Sequence, residues 1–308
     1  MLKSIFRACI LAGAASLLPF SVAAQESGDI KVVSTSSKPV SEAKSQPAKP
    51  KGYDRLGKAD YECIYAYDVV ATRKNGDKVN EEYATILQFN PSVAKFTDLN
   101  AFRVDSLESM SGADLEAVKK LQDALGKVEY LFTGEVFQNS PEGKTRYVDI
   151  ITPNTVEYAE DFAPFDWTLS EDTLTVCDYP CMKATCSYGG RDWTAWFTEE
   201  IPAGFGPWKF AGLPGLIMKV SDSEGIHTFT ATALRKGSGD IVKVQNSQLQ
   251  STSRDKFVKA KNYFEEDPMK RIPVESIKDV TVFKGGAVLI NGVRLPKRPN
   301  GYTPIELQ

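Results

Sequence analysis

The sequence holds a single histidine, His227, in 308 residues. That scarcity excludes zinc hydrolases built on several histidines, and a Ser-His-Asp triad would have to use this one residue. No GxGxxG and no GxxxxGK[ST] follows a strand pattern, so the glycine-rich cradles that bind nucleotide phosphates are missing. There is no GxSxG nucleophile elbow. Beyond the first two dozen residues, no segment has the roughly 18 apolar residues of a membrane helix. A basic surplus is absent too: 37 Lys and Arg stand against 40 Asp and Glu. That balance argues against a nucleic-acid partner, which calls for a concentrated basic surface. No internal repeat is visible.

What is present begins at the N-terminus. Lys3 and Arg7 precede an apolar run from Ile10 to Val22, and Val22-Ala23-Ala24 offers small side chains to a signal peptidase. This is the pattern of a secretory signal peptide over residues 1–24, with the cut after Ala24. An uncleaved anchor is the rival reading. Cys9 precedes most of the apolar run and is not placed for lipidation. Cleavage removes Lys3 and Arg7 and no acidic residue, so the formal net charge moves from −3 to −5. The mature protein is expected outside the cytoplasm, with no transmembrane span.

Cleavage also leaves four cysteines, Cys63, Cys177, Cys181 and Cys186. An even number in an oxidising compartment predicts disulfides, whose connectivity the sequence leaves open. A metal site on Cys177, Cys181 and Cys186 is the rival reading, but it lacks a paired CxxC. No metal and no cofactor is expected.

Residues 25–55 are rich in Ser, Lys, Pro and Glu, and cannot bury enough apolar surface to offset ordering, so they read as a disordered spacer. Residues 56–308 then read as one mostly β domain. Glu62 to Thr72 alternates, with Cys63, Tyr65, Tyr67 and Val69 on one face, and Asn75-Gly76-Asp77 turns the chain into a strand over Tyr83 to Phe89. Val128 to Phe137 and Lys144 to Thr152 flank a second turn at Asn139–Gly143. Further strands are expected over Thr168–Val176, Met182–Tyr188, Asp192–Thr198, Leu216–Ser221, Ile226–Leu234, Val280–Phe283 and Ala287–Ile290, the last two turning at Gly285-Gly286. Such spacing predicts a curved antiparallel sheet, an open barrel or a sandwich. One or two helices should cover it. The first has Ser111 and Asp114 at its start, Leu115, Val118, Leu121 and Leu125 on one face, and Gly126 at its end. The second runs from Arg254 to Glu265 with Phe257, Ala260 and Phe264 aligned.

The densest stretch is Cys181 to Asp222. It sets Trp193, Trp196, Phe197, Phe205, Trp208 and Phe210 among glycines and prolines. In Gly212-Leu213-Pro214-Gly215, a type II turn is expected, with Pro214 pre-setting φ and Gly215 taking the positive φ after it. Leu216 and Ile217 continue as strand.

This block resembles the GLPGLI family of exported proteins from Bacteroidetes-type bacteria, a Porphyromonas-type family. The naming motif stands unchanged at Gly212, Leu213, Pro214, Gly215, Leu216 and Ile217. Around it lie Cys181-x-Lys183-Ala184, Gly190-Arg191-x-Trp193-x-Ala195-Trp196-Phe197, Glu200-Ile201-Pro202 and Gly206-Pro207-Trp208-Lys209-Phe210. Tyr302 to Leu307 is similar to the family's closing segment. The resemblance implies a mostly β envelope protein in the periplasm of a two-membrane envelope, associated with the outer membrane and its transport, and no particular reaction. The spacer and the extra Cys177 and Cys186 depart from the family pattern.

Three sets of residues invite a functional reading. Arg191 and Lys209, with Trp193, Trp196 and Trp208, suit the anionic end of a peptide-like ligand or a partner protein; cation–π packing that pins the loop is the alternative. Asp192, Glu199 and Glu200 beside aromatics would suit a hydrolase of peptides or glycans, or else structural ion pairs. His227 shares a strand face with Phe229 and Ala231, where a packed histidine is the ordinary outcome. The shortage of catalytic groups favours a binding or envelope-assembly protein over an enzyme; a purely structural envelope protein is the third reading.

Overall fold

The computed structural model describes residues 52–110, 114–125, 132–152, 154–246, 249–282, 288–291, 293–295 and 298–307. The expected signal peptide, most of the spacer, Ser111, Gly126 and the Gly285-Gly286 turn lie outside the described residues. Tyr53 to Arg55, read from the sequence as the end of the spacer, instead open the first strand, β1 (Tyr53–Lys58).

Strands dominate the described chain. β2 (Tyr61–Thr72), β3 (Lys78–Phe89) and β4 (Ala94–Asp98) lead into the helices α1 (Leu99–Glu108) and α2 (Leu115–Leu125). Next come β5 (Glu135–Gln138), β6 (Lys144–Ile151), β7 (Asn154–Asp161), β8 (Thr168–Val176), β9 (Tyr179–Tyr188) and β10 (Arg191–Thr198). After a loop, β11 (Leu216–Asp222), β12 (His227–Lys236), β13 (Asp240–Val244) and β14 (Gln250–Ser251) precede α3 (Arg254–Glu266) and the short α4 (Pro268–Arg271). β15 (Val280–Val282), β16 (Val288–Ile290) and β17 (Val293–Arg294) form a small separate sheet, and β1 pairs with β13.

The main sheet has 12 strands in the order β14-β7-β6-β5-β4-β3-β2-β12-β11-β10-β9-β8. Its pairings are antiparallel except the short β14 on β7. β8 and β14 remain as edges, so the sheet is open and is not a closed barrel. The expected curved antiparallel sheet is what the chain forms. The sandwich alternative falls away because β2 to β12 and their neighbours run through one continuous hydrogen-bonded layer.

Local sequence explains the elements. β2 buries Cys63, Tyr65, Tyr67, Val69 and Ala71 on one face, as its alternation requires. Gly76 takes φ +87 in the turn after β2, a conformation open to glycine at little steric cost. Asp114 caps α2 by accepting from the N–H groups of Glu116 at 3.0 Å and Ala117 at 3.2 Å. α1 went unread in the sequence. It starts where Asp98 accepts from Asn100 N–H at 2.8 Å and Ala101 N–H at 3.1 Å. α3 lies as expected, with Phe257 and Phe264 buried.

One core cluster joins residues from nearly every strand of the main sheet, from Tyr147 on β6 and Tyr158 on β7 to Cys181 and Cys186 on β9. A flat sheet could not bring these together; the sheet curls around its own inner face. Tyr67 of β2 stacks on Phe229 of β12 with centroids 4.0 Å apart. The loop between β10 and β11 folds inward and fills this hollow with Ile201, Phe205, Trp208, Phe210 and Leu213. Gln138 at the end of β5 pins it by donating to the carbonyls of Gly206 at 2.7 Å and Trp208 at 2.8 Å.

The structure corrects the expectation of disulfides: no bridge joins Cys63, Cys177, Cys181 or Cys186. Cys181 and Cys186 sit five positions apart on one strand, and at roughly 3.3 Å per residue that exceeds the reach of a disulfide. Cys63 lies fully buried on β2. Burial raises the Cys181 thiol to about 11 and the Cys186 thiol to about 12, so both stay protonated at neutral pH.

Candidate functional site

Strand alternation decides which residues of the aromatic block face inward. On β10, Arg191, Trp193, Ala195 and Phe197 are buried, whereas Asp192 is exposed and Trp196 half-buried. Trp196 therefore belongs to the other face, with the Lys183 ammonium 6.0 Å from its ring centroid. Trp193 and Trp208 are each 1 % exposed and pack against Phe210, so these two indoles fill core space. Trp193 Nε1–H donates to Tyr188 O at 3.0 Å.

Arg191 is buried and fully engaged. Its NH1 donates to Asp222 at 2.8 Å across the sheet. Its Nε and NH2 turn the other way, donating to Ile305 O at 3.2 Å and Pro304 O at 2.7 Å. Asp222 in turn accepts from the N–H groups of Ile226 at 2.7 Å and His227 at 3.0 Å, which fixes the β11–β12 turn.

His227 completes this side. Its Nε2 lies 3.0 Å from Thr303 O and its Nδ1 2.9 Å from Tyr67 Oη. A carbonyl only accepts, so Nε2 carries the proton and Nδ1 accepts from the Tyr67 hydroxyl. Burial, reinforced by the Arg191 charge, lowers the His227 pKa to about 3, so the ring is neutral at physiological pH. A buried ring committed to two hydrogen bonds is a positioning group and not a general base.

Lys209 is the centre of the other side. The turn that presents it is closed by Phe210 N–H to Pro207 O at 3.1 Å and holds Trp208 at φ +53, where bulky residues are rarely found. The Lys209 side chain is fully buried. Nζ donates to Tyr158 Oη at 2.8 Å and Tyr188 Oη at 2.7 Å, and pairs with Glu160 at 2.8 Å and with Glu306. Arg254 at the start of α3 adds a second cation, 2.8 Å from Glu306 and 3.3 Å from Glu160. Two cations thus meet two carboxylates. Burial works against the ammonium, but Glu306, Tyr158, Tyr188 and Glu160 outweigh it and hold its pKa above the ordinary lysine value. Burial keeps the Tyr188 phenol protonated, with its pKa near 12, and its hydroxyl donates to Glu160 at 2.9 Å.

Both sides therefore close on the same object, the chain's own residues 302–307. Asn262 of α3 adds a hydrogen bond to Glu306 O at 3.2 Å, and Leu307 N–H donates to Gly189 O at 2.8 Å. Ile305 and Tyr302 pack against the core.

The GLPGLI motif supports this arrangement from beneath. Leu213, Leu216 and Ile217 are buried. The expected positive φ at Gly215 is corrected: it falls at Gly212, φ +91. Gly215 is required for another reason. A Cβ there would overlap the carbonyl of Thr198, because the chain crosses that backbone at close range. Asp192, Glu199 and Glu200 are exposed and stand outside the buried cluster. Asp192 accepts from the Ser187 hydroxyl at 2.5 Å. Among the described residues, no three His, Cys, Asp or Glu side chains converge in a way that could hold a metal ion, and no helix is long and apolar enough to cross a membrane.

Sequence reading found Arg191 and Lys209 but not Tyr158, Glu160, Tyr188, Arg254 or Glu306. One signal was available: Val156, Tyr158 and Glu160 alternate along β7, which places Tyr158 and Glu160 on one face. The acidic character of that stretch hid the strand.

An open, curled β-sheet whose buried side chains hold the irregular segment 302–307 is the class of protein that fold and site define. The resemblance read from the sequence holds over its densest part, since residues 189–219 match the family model described as "Protein of unknown function (Porph_ging)". No curated protein matches the sequence. Two solved structures of PNGF-II, in different crystal forms, are similar at 13% and 14% identity, each over 65% of this chain and 32% of that one, with TM-scores of 0.42 and 0.40. The chain thus spans about a third of the length of the structures it matches.

Proposed function

We propose that the protein is an exported binding protein of the cell envelope, which grips a polypeptide segment of a partner on the inner face of its curled sheet and catalyses no reaction. One observation carries this reading. Arg191 and His227, two buried side chains from neighbouring parts of the sheet, direct their hydrogen bonds to successive main-chain carbonyls of a segment outside every strand, which bends at Ile305. Main-chain carbonyls are common to every polypeptide, so groups placed this way suit peptide capture. The candidate acids Asp192, Glu199 and Glu200 do not converge with them. The N-terminal pattern of Lys3, Arg7 and Val22-Ala23-Ala24 supports export to the periplasm.

Photo-crosslinking in living cells tests both parts. A benzophenone amino acid at the exposed Asp255 beside Arg254, or at the exposed Lys259 one turn further along α3, should capture one and the same envelope protein. The same probe at the exposed Val280, on the small separate sheet, should not. Capture from none of these positions would overturn the binding reading. The processed protein should sediment with the envelope or periplasmic fraction and begin at Gln25; a cytoplasmic, unprocessed product would overturn export.

A further inference from the structure

We infer that residues 302–307 occupy the groove as a ligand in cis, and that the groove recognises a segment carrying a proline, then an apolar residue, then a carboxylate. A partner segment of that chemistry enters by displacing the chain's own. The inference rests on the binding role proposed above and names its ligand class.

The contacts divide into two kinds. Four consecutive carbonyls each accept from a side chain of the body: Thr303 from His227, Pro304 and Ile305 from Arg191, and Glu306 from Asn262. Residues 302–307 belong to no strand. A core strand satisfies its backbone through a ladder with neighbouring backbone. Here side chains do so, one carbonyl after another, which is how a folded body holds a peptide. Pro304 suits such a site, because it has no N–H to satisfy and its ring fixes φ.

The second kind of contact sets sequence preference. The Glu306 carboxylate meets Lys209 and Arg254. Without it, the fully buried Lys209 would lose one of its two carboxylate partners and depend on Glu160, which Arg254 also contacts, so the interior would be short of one negative charge. That is costly, so an incoming segment must bring its own carboxylate. Ile305 packs against the main apolar core cluster, which favours an apolar residue at the position before the acid. The segment joins the body through the exposed Asn300 and Gly301, at φ +85, a turn closed by Tyr302 N–H to Pro299 O at 2.9 Å.

The test uses the mature protein with a specific protease site inserted between Asn300 and Gly301, cut after folding. A fluorescent peptide with the sequence of residues 301–308 should exchange into the cut protein, as read by anisotropy, and unlabelled peptide should compete. A peptide with Glu306→Gln should bind about tenfold more weakly or worse. The inference is overturned if the cut protein keeps its circular dichroism and melting temperature yet admits no peptide, or if the Glu306→Gln peptide binds as well as the native one. Where cutting unfolds the protein, excess peptide should restore the melt, and failure to do so also overturns it. Peptide exchange without any crosslinked partner would leave this inference standing and sink the functional reading. A crosslinked partner without peptide exchange would do the reverse.

Discussion

The hydroxyl of Tyr188 donates to Glu160 at 2.9 Å, although β9 and β7 are each the second strand from opposite ends of the sheet. Among the described residues, no strand pairing joins those ends. Side chains span the gap instead, with the Lys209 ammonium between the two phenols and the two carboxylates. The curl of the sheet is therefore coupled to one buried charge cluster, and that coupling governs how variants should behave.

Lys209→Met removes one cation and leaves Glu160 and Glu306 to share Arg254. A broken buried pair typically costs about 3–5 kcal/mol, so urea unfolding should show a loss of that order. Adding Glu306→Gln to the same chain should recover part of it, because the uncompensated carboxylate is gone. A double variant no more stable than Lys209→Met would contradict the charge argument.

His227 gives a pH signature. Its pKa falls from 6.5 to about 3 on folding, so below about 6.5 the unfolded chain binds the proton and the folded one does not. Stability then drops as pH falls from about 6.5 towards 3, at up to about 1.4 kcal/mol per pH unit from this group. His227→Gln keeps an N–H for Thr303 O and does not titrate. Its unfolding free energy between pH 6.5 and 4 should fall less steeply than that of the unaltered protein; parallel slopes would exclude the assignment.

The two glycines of the GLPGLI motif should respond differently. Gly212→Ala is strained mainly by positive φ, at about 1 kcal/mol. Gly215→Ala forces a methyl into the Thr198 backbone, and overpacking of this kind costs about 1–3 kcal/mol or more. Thermal melts of the two variants should rank Gly215→Ala as the less stable.

The thiols offer a direct check on the absence of disulfides. Protein prepared without reductant should show Cys63, Cys181 and Cys186 alkylated after unfolding and protected before it, since all three are buried. Peptide mapping that recovers any of these as a disulfide would contradict the structure.

Much of the fold was legible. The alternation of Cys63, Tyr65, Tyr67 and Val69, the turn at Asn75-Gly76-Asp77 and the buried Phe257 and Phe264 of α3 all express periods that neighbouring residues impose on one another, although Ala260, expected on the same face of α3, is exposed. α1 was not legible: its apolar face is weakly marked, and the Asp98 cap is its main signal. The Gly215 expectation rested on turn chemistry, while the actual constraint comes from Thr198 on another strand. Disulfides were expected from cysteine number and compartment, and neither quantity contains a distance.

The site divided in the same way. Arg191 and Lys209 stood out as the cations of an aromatic block, and the sequence by itself determined that block, the strand pattern around it and the signal-like N-terminus. Tertiary structure alone decided that Arg191, His227, Lys209 and Arg254 converge on residues 302–307. Those partners lie far apart in the chain, and they meet only because the sheet curls until its two ends share one buried ammonium.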